Sequence, residues 1–325
     1  MKKSATRLIG IAVLAMVLSI VLAACSSDDD EKMTITVIDG NWSSINVQAE
    51  IASQIIGDKL GYPTTKLISD VTPGWAALCN KDAHVALEAW LPSRLAEIQP
   101  FIDKDCVELG GTNYPGSVRW FVPRYVVEGD AERGIEAVAP NLRSVSDMNE
   151  YWELFENVEN PGKGEIVAGM VSWIDQPQDI SRIAGYDLNY YRSNQGEAVI
   201  LARVKAAVLK GEPILFYLWT PHGFFGEVDA ITLEEPNPYV EGECFVEENI
   251  PYKCAHPAFD IRTVVNADLQ DEAEDVYNLI TNFSMDGEVV SDMIYQIDSL
   301  DRDIVEVAGE WIEAHQSEID GWIDG

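Results

Sequence analysis

Apolar and polar positions alternate over Met33–Asp39 with several β-branched residues, a period that predicts a strand. The spacing then lengthens. Ile51, Ile55 and Leu60 fall near one face of a helix over Ile45–Leu60, and Gly61 supplies the stop. Short strands are expected at Thr65–Ser69 and His84–Trp90, with a helical turn over Pro73–Asn80 between them and a helix over Pro92–Phe101 after them. Val107–Leu109 and Val118–Val127 read as separate strands. Ser144, with an acid three residues on, opens a helix expected to run through Phe155. Glu165–Met170 is a strand, Gly196–Lys210 a long helix closed by Gly211, and Ile214–Trp219 a strongly apolar strand. After a Pro-rich acidic loop, Glu234–Tyr252, come a strand at Ile261–Val265 and helices over Gln270–Phe283, Glu288–Ile297 and Ile304–Ile319.

Strands alternating with helices imply an α/β protein with mostly parallel sheets. The 325 residues exceed what a single hydrophobic core comfortably serves, so two lobes are expected. No internal repeat of 20–50 residues points to a solenoid or propeller.

The first residues have a different character. Lys2, Lys3 and Arg7 precede an apolar run, Leu8–Ala24, that ends in Leu22-Ala23-Ala24-Cys25. A basic start, a short apolar stretch and small residues before the cleavage point form an export signal over residues 1–24. The four-residue ending resembles a lipobox, which implies lipidation at Cys25 and a polar tether through residue 32. An uncleaved anchor is the weaker reading, because a spanning helix needs about 20 apolar residues. The remaining chain is expected outside the cytoplasmic membrane, held there by its lipid.

Charge narrows the partners. With 55 acidic against 22 basic side chains the formal charge is −33, and no Lys/Arg cluster is present to hold a phosphate backbone. Nucleic acid is therefore excluded, as is adhesion to anionic lipid by a basic patch. Besides Cys25 the chain has Cys79, Cys106, Cys244 and Cys254. An even number in an exported protein suggests disulfides; three connectivities are open, and the sequence-local pairs Cys79–Cys106 and Cys244–Cys254 are preferred. Neither CxxC nor HxxxH spacing occurs and the four histidines are scattered, so no metal or cofactor is expected. The GxSxG, GxxxxGK[ST] and GxGxxG patterns of hydrolases and nucleotide enzymes are missing too, which favours a binding protein over an enzyme.

The tryptophans carry the chemistry. Trp42 follows the first strand, Trp90 and Trp219 end theirs, and Trp173 follows the Glu165–Met170 strand. Ligands of open α/β sheets bind outside the carboxyl ends of strands, so these four face the expected cleft, with Trp120 a fifth candidate near a lobe crossover. A single Trp is more often core. Trp152, Trp311 and Trp322 lie in helices and are assigned to packing, and Trp75 is open. Several indole faces at one cleft suit a quaternary ammonium group, which has no N–H to donate and is recognised by aromatic cages. Stacking on sugar rings is the competing use.

Leu87-Glu-Ala-Trp90-Leu-Pro, Gly211-Glu-Pro-Ile-Leu-Phe-Tyr-Leu-Trp219-Thr-Pro-His222 and the ending Trp311-Ile-Glu-Ala-His315-Gln through Asp320-Gly-Trp322 resemble the substrate-binding proteins of glycine betaine/proline betaine ABC transporters. The likeness runs over essentially the whole mature chain. It implies a two-lobed class II periplasmic-binding-protein fold with the ligand cleft between lobes, lobe I over 33–119 plus 221–325 and lobe II over 120–220. It also implies a cation box of Trp90, Trp173 and Trp219, with the ligand carboxylate held by Arg94 and the backbone N–H groups of Ile174 and Asp175. An acid at 175 beside that carboxylate departs from what the chemistry wants and leaves a carboxylate-free ligand such as choline in play. The expected partners are a small betaine-like molecule and an ABC permease, with the protein monomeric.

Overall fold

The computed structural model describes residues 32–325 except 174, 245 and 247–249. The export segment and Cys25 lie outside the described residues. The strands are β1 (Ile35–Asp39), β2 (Thr64–Ile68), β3 (Val85–Leu91), β4 (Val107–Pro123), β5 (Gly164–Ile166), β6 (Tyr190–Arg192), β7 (Phe216–Thr220), β8 (Ala230–Thr232) and β9 (Phe259–Asn266). Between and after them run helices α1 (Ser43–Gln54), α2 (Val71–Cys79), α3 (Leu95–Ile102), α4 (Arg124–Glu128), α5 (Asp175–Gly185) and α6 (Glu197–Lys210). Helices α7 (Leu269–Glu272), α8 (Glu274–Thr281), α9 (Gly287–Asp298), α10 (Ile304–Ala314) and α11 (Gln316–Asp324) close the chain. No described helix is long and apolar enough to cross a membrane.

The main sheet has the order β2-β1-β3-β9-β4-β7, with β8 also paired to β4. Its topology corrects the expectation of mostly parallel strands. Only β1–β2 and β1–β3 are parallel there, while β9 runs antiparallel to both β3 and β4, and β7 and β8 antiparallel to β4. Periodicity reports that a segment is a strand but not which distant strand it joins; β9 inserts between two strands far earlier in the chain. A small parallel pair, β5–β6, forms a second sheet that touches the first where Val167, directly after β5, bridges Phe216 of β7.

The expected gap between Leu109 and Val118 is also absent, since β4 runs unbroken for 17 residues. Gly110 and Gly111, which read as a break, sit where the register with β9 shifts, and the Arg262 guanidinium donates to the Gly110 carbonyl at 2.9 Å. They are the bulge that lets one strand pair first with β9 and then, from Ser117, with β7. Pro123 ends β4, so residues 124–128 form a helical turn instead of more strand. The Ser144 capping box with Asp147 forms as expected, but it starts two short 3₁₀ turns, Val145–Glu150 and Trp152–Phe155.

Under the sheet, Ile38, Trp75, Leu78, Ala86, Ala89, Ile98, Val107 and Val264 form one apolar cluster. Trp75 thus belongs to the core. Trp311 and Trp322 stack at 5.9 Å in the C-terminal helices, as packing residues do. Disulfides join Cys79 to Cys106 and Cys244 to Cys254, the sequence-local pairs.

Candidate functional site

A cavity of about 50 Å³ lies at the carboxyl ends of the tryptophan-bearing strands. Trp42, Trp90, Trp173 and Trp219 all line it, joined by Tyr217 and Phe259. Val71 and Val118 add aliphatic surface, and two charged residues, Glu88 and Arg94, complete the wall. The strand alternation explains two of these pairs: Tyr217 and Trp219 are two apart on β7, and Val118 sits opposite Trp219 on β4.

The rings are seated by close backbone approach. A Cβ on Gly116 would come within 2.8 Å of the Trp90 ring, and one on Gly169 within 2.0 Å of the Trp173 ring. Only glycine leaves room for those indoles. Trp173 meets Trp219 edge-on, with centroids 5.3 Å apart and planes at 90°, and Tyr217 lies 6.2 Å from each. Across the cavity Trp90 packs at 5.3 Å on Phe259.

Glu88 stands in the middle of β3 with 2% of its surface exposed. Its Oε2 accepts the indole N–H of Trp42 at 2.6 Å and that of Trp90 at 3.0 Å. Its Oε1 accepts from the Gln48 amide and the Tyr114 hydroxyl. Burial pushes the Glu88 carboxyl up, against the hydrogen bonds from Tyr114, Trp42 and Trp90, which pull it down. Burial, and then the Glu88 charge, raise Tyr114 well above the usual phenol range.

Arg94 is buried immediately before α3, its backbone N–H donating to the Trp90 carbonyl at 3.1 Å. Its guanidinium donates to the Glu97 carboxylate at 3.1 and 3.2 Å and to the Ser172 carbonyl at 3.2 Å. Neighbouring bonds join residues 41–70 to residues 172–197. The Trp173 indole donates to Asn41 at 3.2 Å, the Ser172 hydroxyl to Asp70 at 3.2 Å, and the Ser43 backbone N–H to Glu197 at 2.7 Å.

The structure therefore brings together Trp42, Trp90, Trp173, Trp219 and Arg94. Trp120 is a correction. It does not line the cavity but is fully buried on β4, with the Arg182 guanidinium 4.1 Å above its ring. Lying two residues beyond Val118, it is a strand step of about 7 Å deeper, where the protein covers it. Ile174 lies outside the described residues; Asp175, two positions after Trp173, opens α5, and its side chain is not described. His222 packs at 5.1 Å on Trp219 and holds Glu197 at 3.0 Å, outside the cavity wall. Sequence reasoning missed Glu88, Tyr217 and Phe259. For Glu88 a signal existed: it is the one charged residue within the run Val85–Leu91.

Fold and site together define a two-lobed α/β solute-binding protein. The chain belongs to the family described as the substrate binding domain of ABC-type glycine betaine transport system, whose model matches residues 33–314. That family serves transport and is not one of enzymes. The glycine betaine/proline betaine-binding periplasmic protein of Escherichia coli (strain K12) is 21% identical over 311 residues, covering 90% of this chain and 89% of its own. The fold matches lactococcal OpuAC in its closed conformation complexed with glycine betaine at a TM-score of 0.71 and 19% identity, covering 90% of this chain and 100% of that one. It also matches an ABC-transporter choline binding protein in complex with choline at 0.70 and 22% identity, covering 90% and 92%.

Proposed function

We propose that this protein is an extracytoplasmic receptor that captures a quaternary ammonium osmolyte, glycine betaine foremost, and delivers it to an ABC permease for osmoprotective uptake. In this reading residues 1–24 direct export, Cys25 carries the lipid and residues 25–32 are the tether. Lobe I comprises 33–119 with 221–325 and lobe II 120–220, and the ligand joins them. The observation that carries the reading is four indoles, from four separate segments, around one small cavity.

Trp90, Trp173 and Trp219, with Trp42 as a fourth wall, surround the trimethylammonium head. Arg94 and the backbone N–H groups of Ile174 and Asp175 take the carboxylate. Arg is suited to that role by its planar fork of donors. Each ring contact contributes about 0.5–2 kcal/mol. Three or four of them supply enough for roughly micromolar binding in a preformed cage. Contacts such as Arg94 to Ser172 and Trp173 to Asn41 bridge the two proposed lobes, so a ligand touching both sides favours the closed state.

Choline is the second reading, supported by the pairing of Arg94 with Glu97, which already takes up part of the charge meant for a carboxylate. Calorimetric titration with glycine betaine, choline, proline and maltose separates the cases. Tight betaine binding with no maltose heat is expected, and Trp219→Ala should weaken it at least about tenfold. Choline alone would remove the carboxylate site; a response to sugar alone would defeat the cage.

A further inference from the structure

We infer that Glu88 is the charge-selecting residue of the cavity: a buried carboxylate held only by neutral donors, it fixes two cage indoles by their N–H groups and sets negative charge behind their rings. The inference rests on the aromatic-cage reading and goes beyond it, since a cage of rings alone recognises shape as much as charge.

An acid inside an apolar strand is heavily penalised unless its charge is compensated. Compensation here is incomplete in a specific way. The four donors, from Trp42, Trp90, Gln48 and Tyr114, satisfy the oxygens without cancelling the charge. None of the described ion pairs includes Glu88, and Glu88 itself lines the cavity. A monocation in that cavity supplies the missing partner. The same bonds act on the rings: an indole whose N–H donates to an anion is polarised toward a more electron-rich face, the face that attracts a cation. Because Trp42 and Trp90 share one oxygen, Oε2, both planes are set before any ligand arrives. Gln48, which donates to Glu88 and to Tyr114 at 2.8 Å, braces the carboxylate from behind.

A pair of isosteres tests this. Choline and 3,3-dimethyl-1-butanol share size and shape, but a carbon replaces the charged nitrogen in the second. Glu88→Gln keeps the side-chain volume and removes the charge. We expect it to weaken choline and glycine betaine by about tenfold or more. Its effect on the neutral isostere should stay within about twofold, so the choline-to-isostere ratio collapses. Equal losses for both ligands would make Glu88 a packing residue and overturn the inference, as would unchanged choline affinity. Trp42→Phe keeps a ring but removes one N–H to Glu88, and provides the check if Glu88→Gln folds poorly. On its own it should weaken choline several-fold more than the neutral isostere; equal losses for the two ligands would sink the N–H bridge. Wild-type protein that binds neither choline nor glycine betaine would instead overturn the proposed function, and this inference with it.

Discussion

Two buried carboxylates sit beside tryptophans in this protein, and they are served in opposite ways. Glu88 receives only neutral donors, and the indoles it holds line an open cavity. Asp179, equally buried, lies between Arg182 at 3.0 Å, Arg192 at 3.4 Å and His256 at 3.2 Å, with Glu235 on the far side of Arg182. There two guanidinium groups face two carboxylates, and the charge is spent inside the protein. The nearby indole, Trp120, has its face already filled by Arg182. Trp120 is thus a cation–π site whose cation is part of the chain, whereas Trp42, Trp90, Trp173 and Trp219 line a cavity. On the inference drawn above, Glu88 serves recognition because its charge is left uncancelled, and Asp179 does not because its charge is met within the protein.

The sharpest way to break this contrast is Asp179→Ala, which leaves two buried guanidinium groups without their shared partner. We expect a loss of about 3–5 kcal/mol of stability, read by urea unfolding. Glu88→Gln should cost less stability, about 1–3 kcal/mol, and show itself in affinity instead. The next largest effect is on acid stability. Burial, reinforced by Arg182 and Arg119 and opposed by Asp179, pushes the His256 imidazole down to about 4. Its unfolded value is near 6.5, so the folded state takes the proton less readily. The contribution is therefore intact above about pH 6.5 and lost as the pH falls toward 4, amounting to about 2 kcal/mol by pH 5. Melting temperature should fall over that window in the wild type and more gently in His256→Gln; identical slopes would remove His256 as the cause. The smallest effect separates the two ends of the ligand. Arg94→Ala should weaken glycine betaine about tenfold more than choline, since only the former presents a carboxylate to a charge-assisted bond. Equal losses would take Arg94 out of carboxylate binding.

Much of the site was legible because position along a strand is a local property. Trp90 and Trp219 are next to last in β3 and β7, and the apolar runs that define those strands place the rings at the sheet's carboxyl edge. Trp120 obeyed the same logic and failed it, because what covers a ring is decided by Arg182, 62 positions later, through a packing no pattern announces. Glu88 was hidden by number, one acid among 55, although its place inside Val85–Leu91 set it apart. Phe259 was out of reach for the reason the sheet topology was: β9 meets β3 and β4 only in three dimensions. The helix expected after Ser144 shows the limit of a good cap, which starts a turn but cannot sustain an α-helix without a matching apolar stripe.

That insertion of β9 also has a meaning in time. β3 and β4 are separated in the sheet by a strand that leaves the ribosome after both, with more than half the chain made between Val85 and its partner Val265. Until β9 arrives, two long apolar strands present open edges, and the wall that Phe259 completes does not exist. Contacts so distant in sequence make for slow assembly. A chain stopped short of residue 259 would be a sticky fragment with its tryptophans already made but the cavity wall unfinished, so the cavity is among the last things the nascent protein acquires.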